Sequence, residues 1–184
     1  MKKAFVFLAT GFEETEAIGT ADILRRGGVE AAIVSVTDKK EVKGAHNIIV
    51  TADLLLADAD LSTADALVLP GGMPGASNLK ASEPLKKALI SHYGQGKLVA
   101  AICAAPLVLG GLGFLKGRIA TCYPGFESTL IEATVTKNPV EIDGNVITGR
   151  GPGLVFNFSL AIVSALQGEA VAREVAEGLL LSSY

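Results

Sequence analysis

Apolar residues along this chain gather into short runs separated by amphipathic stretches. Lys3 to Ala9, Glu30 to Val36, Ala66 to Leu69 and Leu98 to Ile102 are too short for helices and predict buried strands. Ile48 to Thr51, Arg118 to Cys122, Ala133 to Thr136 and Val146 to Thr148 predict further short strands. The segment Glu141 to Val146 reads as a hairpin, because Asp143-Gly144 suits a tight primed turn. Between these runs, Glu14 to Gly28 predicts a helix with Ile18, Ala21, Ile23 and Leu24 on its apolar side, stopped by Gly27-Gly28. Glu83 to Gly94 predicts a second, with Pro84 in its first turn. A helix begins at Ala104 and runs to Gly110, a strongly apolar one covers Val155 to Leu166, and the last covers Glu169 to Leu181.

Alternation of strands and helices is the mark of α/β architecture. Continuously apolar strands imply a sheet covered on both faces, and such sheets bind ligands beyond the carboxyl ends of their strands. Four loops leave that edge, starting at Thr10, Pro70, Cys103 and Gly149.

With 184 residues, 49% of them hydrophobic, the chain suits one domain, residues 1–184, with a sizeable core. A net charge of −3 gives no basic footprint for nucleic acid and no polybasic stretch for membrane. No apolar segment approaches the roughly 20 residues of a membrane span. The first apolar run is too short for a signal segment, so a cytoplasmic location is expected. Two cysteines without a secretory signal argue against a disulfide framework.

Candidate chemistry collects in the four loops. In Val99-Ala100-Ala101-Ile102-Cys103-Ala104-Ala105-Pro106 a buried strand runs into small residues and a helix, which sets Cys103 at a joint like a nucleophile elbow. Unpaired amides and the positive end of the helix would favour its thiolate; the alternative is a small core residue. Glu16, one turn from the small residues Gly19 and Thr20, either points into the loop cluster as a proton donor with a raised pKa or is an exposed first-turn glutamate. Glu13 and Glu14 suit the helix dipole. Gly71-Gly72 could bring amides to a developing oxyanion or form a plain turn. Pro152 is either helix punctuation or part of the pocket's fourth wall. Cys122, before the Tyr123-Pro124 turn, reads as structural. The two histidines, His46 in a turn and His92 on a helix surface, do not assemble a Cys-His dyad or a metal site.

Gly11-Phe12-Glu13-Glu14-Thr15-Glu16, Arg25-Arg26-Gly27-Gly28, Leu67-Val68-Leu69-Pro70-Gly71-Gly72, Ala100-Ala101-Ile102-Cys103-Ala104-Ala105-Pro106 and Gly149-Arg150-Gly151-Pro152-Gly153 follow one another in order. With them the chain resembles the ThiJ/PfpI superfamily, also called DJ-one/PfpI, in its Parkinson-associated deglycase and YajL-like branch. The resemblance implies a flavodoxin-like three-layer α/β/α sandwich with a mostly parallel central sheet, a homodimer, and no cofactor or metal. It implies that Cys103 is the reactive, oxidation-prone thiol, that Glu16 hydrogen-bonds to it, and that Gly71, Gly72 and Ala104 frame the pocket. It implies a supporting role for Arg26, and for His46 where the family brings a second arginine near the dimer interface.

Tyr123 stands where the Parkinson-associated member has a histidine, and a phenol is not a base at neutral pH. Ala104 stands where PfpI-type peptidases have a histidine, which argues against peptidase activity. The implied function is cysteine-dependent action on reactive aldehydes or early glycation adducts, of deglycase or glyoxalase type. A non-catalytic redox sensor or redox-regulated chaperone is the alternative. A nucleotide- or flavin-binding module is disfavoured by the lack of a phosphate loop and of tryptophan.

Overall fold

The computed structural model describes Met1–Leu181. The elements are β1 (Lys3–Leu8), α1 (Glu14–Arg26), β2 (Glu30–Ser35), β3 (Glu41–Lys43), β4 (Ile49–Thr51), β5 (Leu54–Leu55), β6 (Ala66–Leu69), α2 (Gly75–Ala81) and α3 (Glu83–Gly94). They continue with β7 (Leu98–Ile102), α4 (Pro106–Gly111), β8 (Ile119–Thr121), β9 (Thr134–Thr136), β10 (Val140–Asp143), β11 (Val146–Gly149), α5 (Val155–Gln167) and α6 (Glu169–Gly178).

Seven strands form one sheet in the order β10-β11-β7-β6-β1-β2-β5. Every pairing in it is parallel except β10 with β11, the hairpin that turns at Asp143-Gly144. Helices α1, α5 and α6 pack together on one side, with α5 against β7 and β11; α2, α3 and α4 lie on the other. The central strands are buried on both faces, which is why β1, β6 and β7 carry almost no polar residue. This is the flavodoxin-like three-layer α/β sandwich.

Helix α1 starts where Glu13, in extended backbone, accepts the Glu16 N–H on its side chain, and it stops at Gly27. Gly27 also sets the spacing to α5: a Cβ there would lie 2.7 Å from Val163 Cγ1. The Ser159 hydroxyl donates to Thr20 Oγ1 (3.1 Å) across the same seam.

The structure corrects several expectations. Ile18 is 44% exposed, and Ala17 and Thr20 fill the core side instead. His92 is 4% exposed, because it follows Leu85 and Leu89 on the inner stripe of α3, and its Nε2 meets the Leu98 carbonyl at 3.1 Å. Helix α4 begins at Pro106, not Ala104, since residues 103–105 form a turn. The last helix ends at Gly178. Strands β3 and β5 and helix α2, which starts directly after Pro74, carry no clear apolar pattern. No helix among the described residues is long and apolar enough to cross a membrane.

Candidate active site

The loops after β1, β6, β7 and β11 meet at the carboxyl edge. The Glu13 amide donates to the Gly71 carbonyl (2.9 Å) and the Gly75 amide to Gly11 (3.1 Å). The Cys103 amide donates to Gly149 (2.9 Å), and the Tyr123 amide donates to the Cys103 carbonyl (2.9 Å). Cys103 is thus gripped on both sides of its α-carbon. Its φ is 64°, the left-handed region that costs a side-chain-bearing residue roughly 1–3 kcal/mol. This strained backbone turns the sulfur out of the strand direction, and the residue is 8% exposed.

Glu16 is fully buried beside it. Its Oε2 accepts the Gly71 N–H at 2.7 Å, and its own N–H is capped by Glu13 Oε2 at 2.6 Å. A Cβ on Gly71 would lie 2.7 Å from Cys103 Cβ and 2.9 Å from Glu16 Oε2, so the absence of a side chain there lets thiol and carboxyl meet. Carboxyl and sulfur are within reach of a hydrogen bond, yet Oε1 has no well-aligned partner among the described residues. Gly72 has φ +85°, and a Cβ on it would collide with the Glu13 amide nitrogen.

Burial raises Glu16 to about 7; the Gly71 amide and the thiol oppose this, and the charge of Glu13 adds to it. Burial likewise pushes Cys103 up to about 12, helped by the charge and hydrogen bond of Glu16 and opposed by the Gly72 and Ala104 amides. The expectation of a thiolate favoured by the helix terminus is corrected. Alpha-4 is short and starts three residues on, whereas the carboxylate is adjacent. The two groups titrate as a pair. Protonating Glu16 removes the charge that opposes the thiolate and leaves the two amides facing the sulfur.

The other sequence-derived residues fall into three groups. Gly71, Gly72 and Ala104 lie at the sulfur. Tyr123 and Pro152 come together on the loops after β8 and β11: the tyrosine ring rests on Gly151, where a Cβ would come within 3.2 Å of Cδ2, and Pro152 opens a tight turn next to it. Arg26 and His46 are not at the sulfur. Arg26 ends α1, pairing with Asp22 at 2.9 Å, ten residues or about 15 Å along the helix from Glu16. His46 Nδ1 pairs with Glu14 Oε2 at 2.8 Å and stands 4.0 Å from Glu13 Oε1.

The β3–β4 hairpin reaches the carboxyl edge: the Ala45 amide donates to the Phe12 carbonyl (2.8 Å), and Glu14 Oε1 accepts the amide of His46 at 2.7 Å. Glu13, Glu14 and His46 bring ligand-type atoms within 4.8 Å of one another, but amides and the imidazole already engage the carboxylates. Sequence reasoning missed Glu13 as a contributor; its position three residues before Glu16 was the available signal. Cys122 is buried, and burial followed by the charge of Glu127 pushes it up to about 11.

A mostly parallel sheet covered on both faces, with a left-handed cysteine at the end of β7 and a buried acid beside it, defines the α/β class of this chain. Residues 2–165 match the model of the DJ-1/PfpI family. The chain belongs to that family. Among its relatives, Protein DJ-1 homolog B of Arabidopsis thaliana is 42% identical over 98% of this chain. The chain spans less than half (42%) of that relative's length. The Caenorhabditis elegans protein named glutathione-independent glyoxalase DJR-1.2 is 33% identical, covering 92% of this chain and 91% of its own. The structure of oxidized Toxoplasma gondii DJ-1 superposes with a TM-score of 0.95 at 35% identity, covering 99% of this chain and 100% of that one.

Proposed function

We propose that this protein acts on small reactive aldehydes, or on the early adducts they form with amines, with Cys103 as nucleophile and Glu16 as proton carrier. The observation that carries this reading is the left-handed Cys103 beside a fully buried carboxyl near 7. A group titrating there can both give and take a proton at neutral pH. His46 is held by Glu14 and His92 by Leu98, so the proton work falls to Glu16.

The thiolate sulfur attacks the aldehyde carbon, a C–S bond forms and the carbonyl π pair moves to oxygen. The Gly72 and Ala104 amides favour that charge, and Glu16 supplies the proton. For methylglyoxal, Glu16 then takes the proton from the former aldehyde carbon and returns one to the neighbouring carbon, while the hydroxyl proton passes to the neighbouring oxygen, so that the second carbon carries the hydroxyl and the first becomes the carbonyl of a thioester. Water cleaves it to lactate and frees Cys103. The name of the nematode relative supports this substrate class. Lactate release from methylglyoxal, compared between wild type and Cys103→Ser, tests it. Equal rates end the proposal.

A second reading, a redox sensor or redox-regulated chaperone, draws on the unpartnered Glu16 Oε1, which could donate to an added sulfinate oxygen once protonated. The oxidized state named for the Toxoplasma protein supports it. Mass spectrometry after mild peroxide tests it, and oxygen gained by Cys122 alone would rule it out. We further propose a homodimer formed through α1 and the β3–β4 hairpin, where Ile18, Ile48 and Ile49 are exposed around the Glu14–His46 pair. The free thiols suit a reducing, cytoplasmic setting.

A further inference from the structure

Glu13 and Glu14 open α1, one as its cap and one as its first residue, and both are buried. Backbone amides pin each carboxylate by a single oxygen. Glu13 Oε2 accepts the Glu16 N–H at 2.6 Å, and Glu14 Oε1 accepts the N–H groups of His46 (2.7 Å) and Ile48 (3.4 Å). The remaining two oxygens turn toward the exposed ring of His46. Its Nδ1 lies 2.8 Å from Glu14 Oε2 and 4.0 Å from Glu13 Oε1. Glu13 is 9% exposed, yet its Oε1 accepts no hydrogen bond among the described residues. Gly44 lets the hairpin close this far, because a side chain there would collide with Glu14.

Two buried carboxylates facing one imidazole leave a surplus of negative charge. No lysine or arginine pairs with either of them among the described residues. A histidine brings at most one positive charge, and the start of a helix adds about half of one. The surplus is aimed, since the amides fix which oxygen of each carboxylate faces outward. Hydrogen bonds of this kind orient the ligands of metal sites.

We infer that Glu13 Oε1, Glu14 Oε2 and His46 Nδ1 form a binding site for one divalent transition-metal ion of the zinc type. The three atoms lie within 4.8 Å of one another. Ligands of a tetrahedral zinc ion lie about 3.4 Å apart. The separations from Nδ1, 4.0 and 2.8 Å, fall on either side of that, so a small swing of the exposed ring brings both into range. The proton between Nδ1 and Glu14 Oε2 leaves to solvent as the ion enters. An imidazole nitrogen with two carboxylate oxygens suits zinc better than magnesium, which prefers oxygen alone. Neither cysteine belongs to the cluster. All three ligands come from one chain, so the site depends neither on the dimer proposed above nor on Cys103 being a nucleophile.

Zinc uptake by the full chain, dialysed free of chelator, is measured by titration calorimetry for wild type, His46→Gln, Glu13→Gln and Cys103→Ala. Glutamine at 46 can still donate to Glu14, and glutamine at 13 can still cap α1, so both variants keep the fold's hydrogen bonds. Wild type and Cys103→Ala should each take up one ion per chain. His46→Gln and Glu13→Gln should each weaken uptake by roughly tenfold or more, the least that even outer partners of a metal contribute. A large excess of Mg2+ should not displace the zinc. With Co2+ as the probe, wild type should show visible d–d absorption without the near-ultraviolet band of a cobalt–thiolate bond. Absence of uptake at millimolar zinc overturns the inference, as does uptake unchanged in His46→Gln and Glu13→Gln. Loss of uptake in Cys103→Ala, or a thiolate band, assigns the ion to a cysteine and overturns it equally. Displacement by Mg2+ overturns the zinc-type assignment.

Discussion

Gly71 donates its amide to Glu16 Oε2 at 2.7 Å while its α-carbon lies against the Cys103 side chain. One residue without a side chain thus orients the acid and makes room for the thiol. Gly71→Ala would put a methyl carbon against Cys103 Cβ (2.7 Å), Glu16 Oε2 (2.9 Å) and the Ile102 carbonyl (2.9 Å). The carbonyl belongs to a central strand and cannot retreat. Overpacking of this kind costs about 1–3 kcal/mol. Urea unfolding should show that loss, and Cys103 alkylation should quicken, because the carboxyl whose charge and hydrogen bond hold the thiol proton is pushed from the sulfur.

Glu16 should make stability depend on pH. Its ordinary value is 4.5 and burial holds it at about 7 in the folded chain. A raised carboxyl means that the folded state binds more protons, so its contribution is complete below 4.5 and is lost as pH rises through about 7. The loss is of order 3 kcal/mol. Glu16→Gln can still accept the Gly71 N–H and carries no charge to bury. Between pH 5 and 8 the urea midpoint of wild type should fall relative to that of Glu16→Gln, which keeps every other titrating group, and the variant's aldehyde turnover should be lost.

His92 should act in the opposite sense. Burial lowers its pKa below the ordinary 6.5, with the Leu98 carbonyl opposing. The unfolded chain then binds the proton first on acidification. The stability contributed by neutral His92 is complete above pH 6.5 and is lost as pH falls through the lower folded-state value. His92→Gln, whose amide can donate to the same carbonyl, should make the acid-side decline in the urea midpoint shallower, the remainder coming from the carboxyls of Glu14, Asp65 and Asp143 held low in the folded chain, while leaving lactate release unchanged.

The frame was legible in the sequence where short-range physics decides it. Strands β1, β6 and β7 are apolar throughout because both faces are covered, and Cys103 stands out because a buried strand ends there in small residues. Glu16 was legible from its register above Gly19 and Thr20. What escaped were contacts across long separations. Glu14 is 32 residues from His46, so its burial under the hairpin leaves no local trace. Arg26 was placed by resemblance, and helix geometry carries it away from the sulfur. The direction of the Cys103 shift depends on two groups being buried together, which neither segment reveals alone.

Tyr123 offers a test of what the site lacks. Its ring rests on Gly151, and its amide holds the Cys103 carbonyl. Gly151→Ala would put a methyl carbon 3.2 Å from the ring and should tilt it, since Cδ2 and Cε2 of that ring are its nearest non-neighbouring atoms among the described residues. Because the backbone grip on Cys103 is untouched, alkylation should stay near wild type while KM for methylglyoxal changes. Tyr123→His keeps the same amide contact and adds a base whose ordinary pKa is about 6.5. If proton transfer by Glu16 alone limits turnover, this variant should raise kcat several-fold and add a limb near pH 6.5 to the rate profile. An unchanged profile would place the slow step elsewhere.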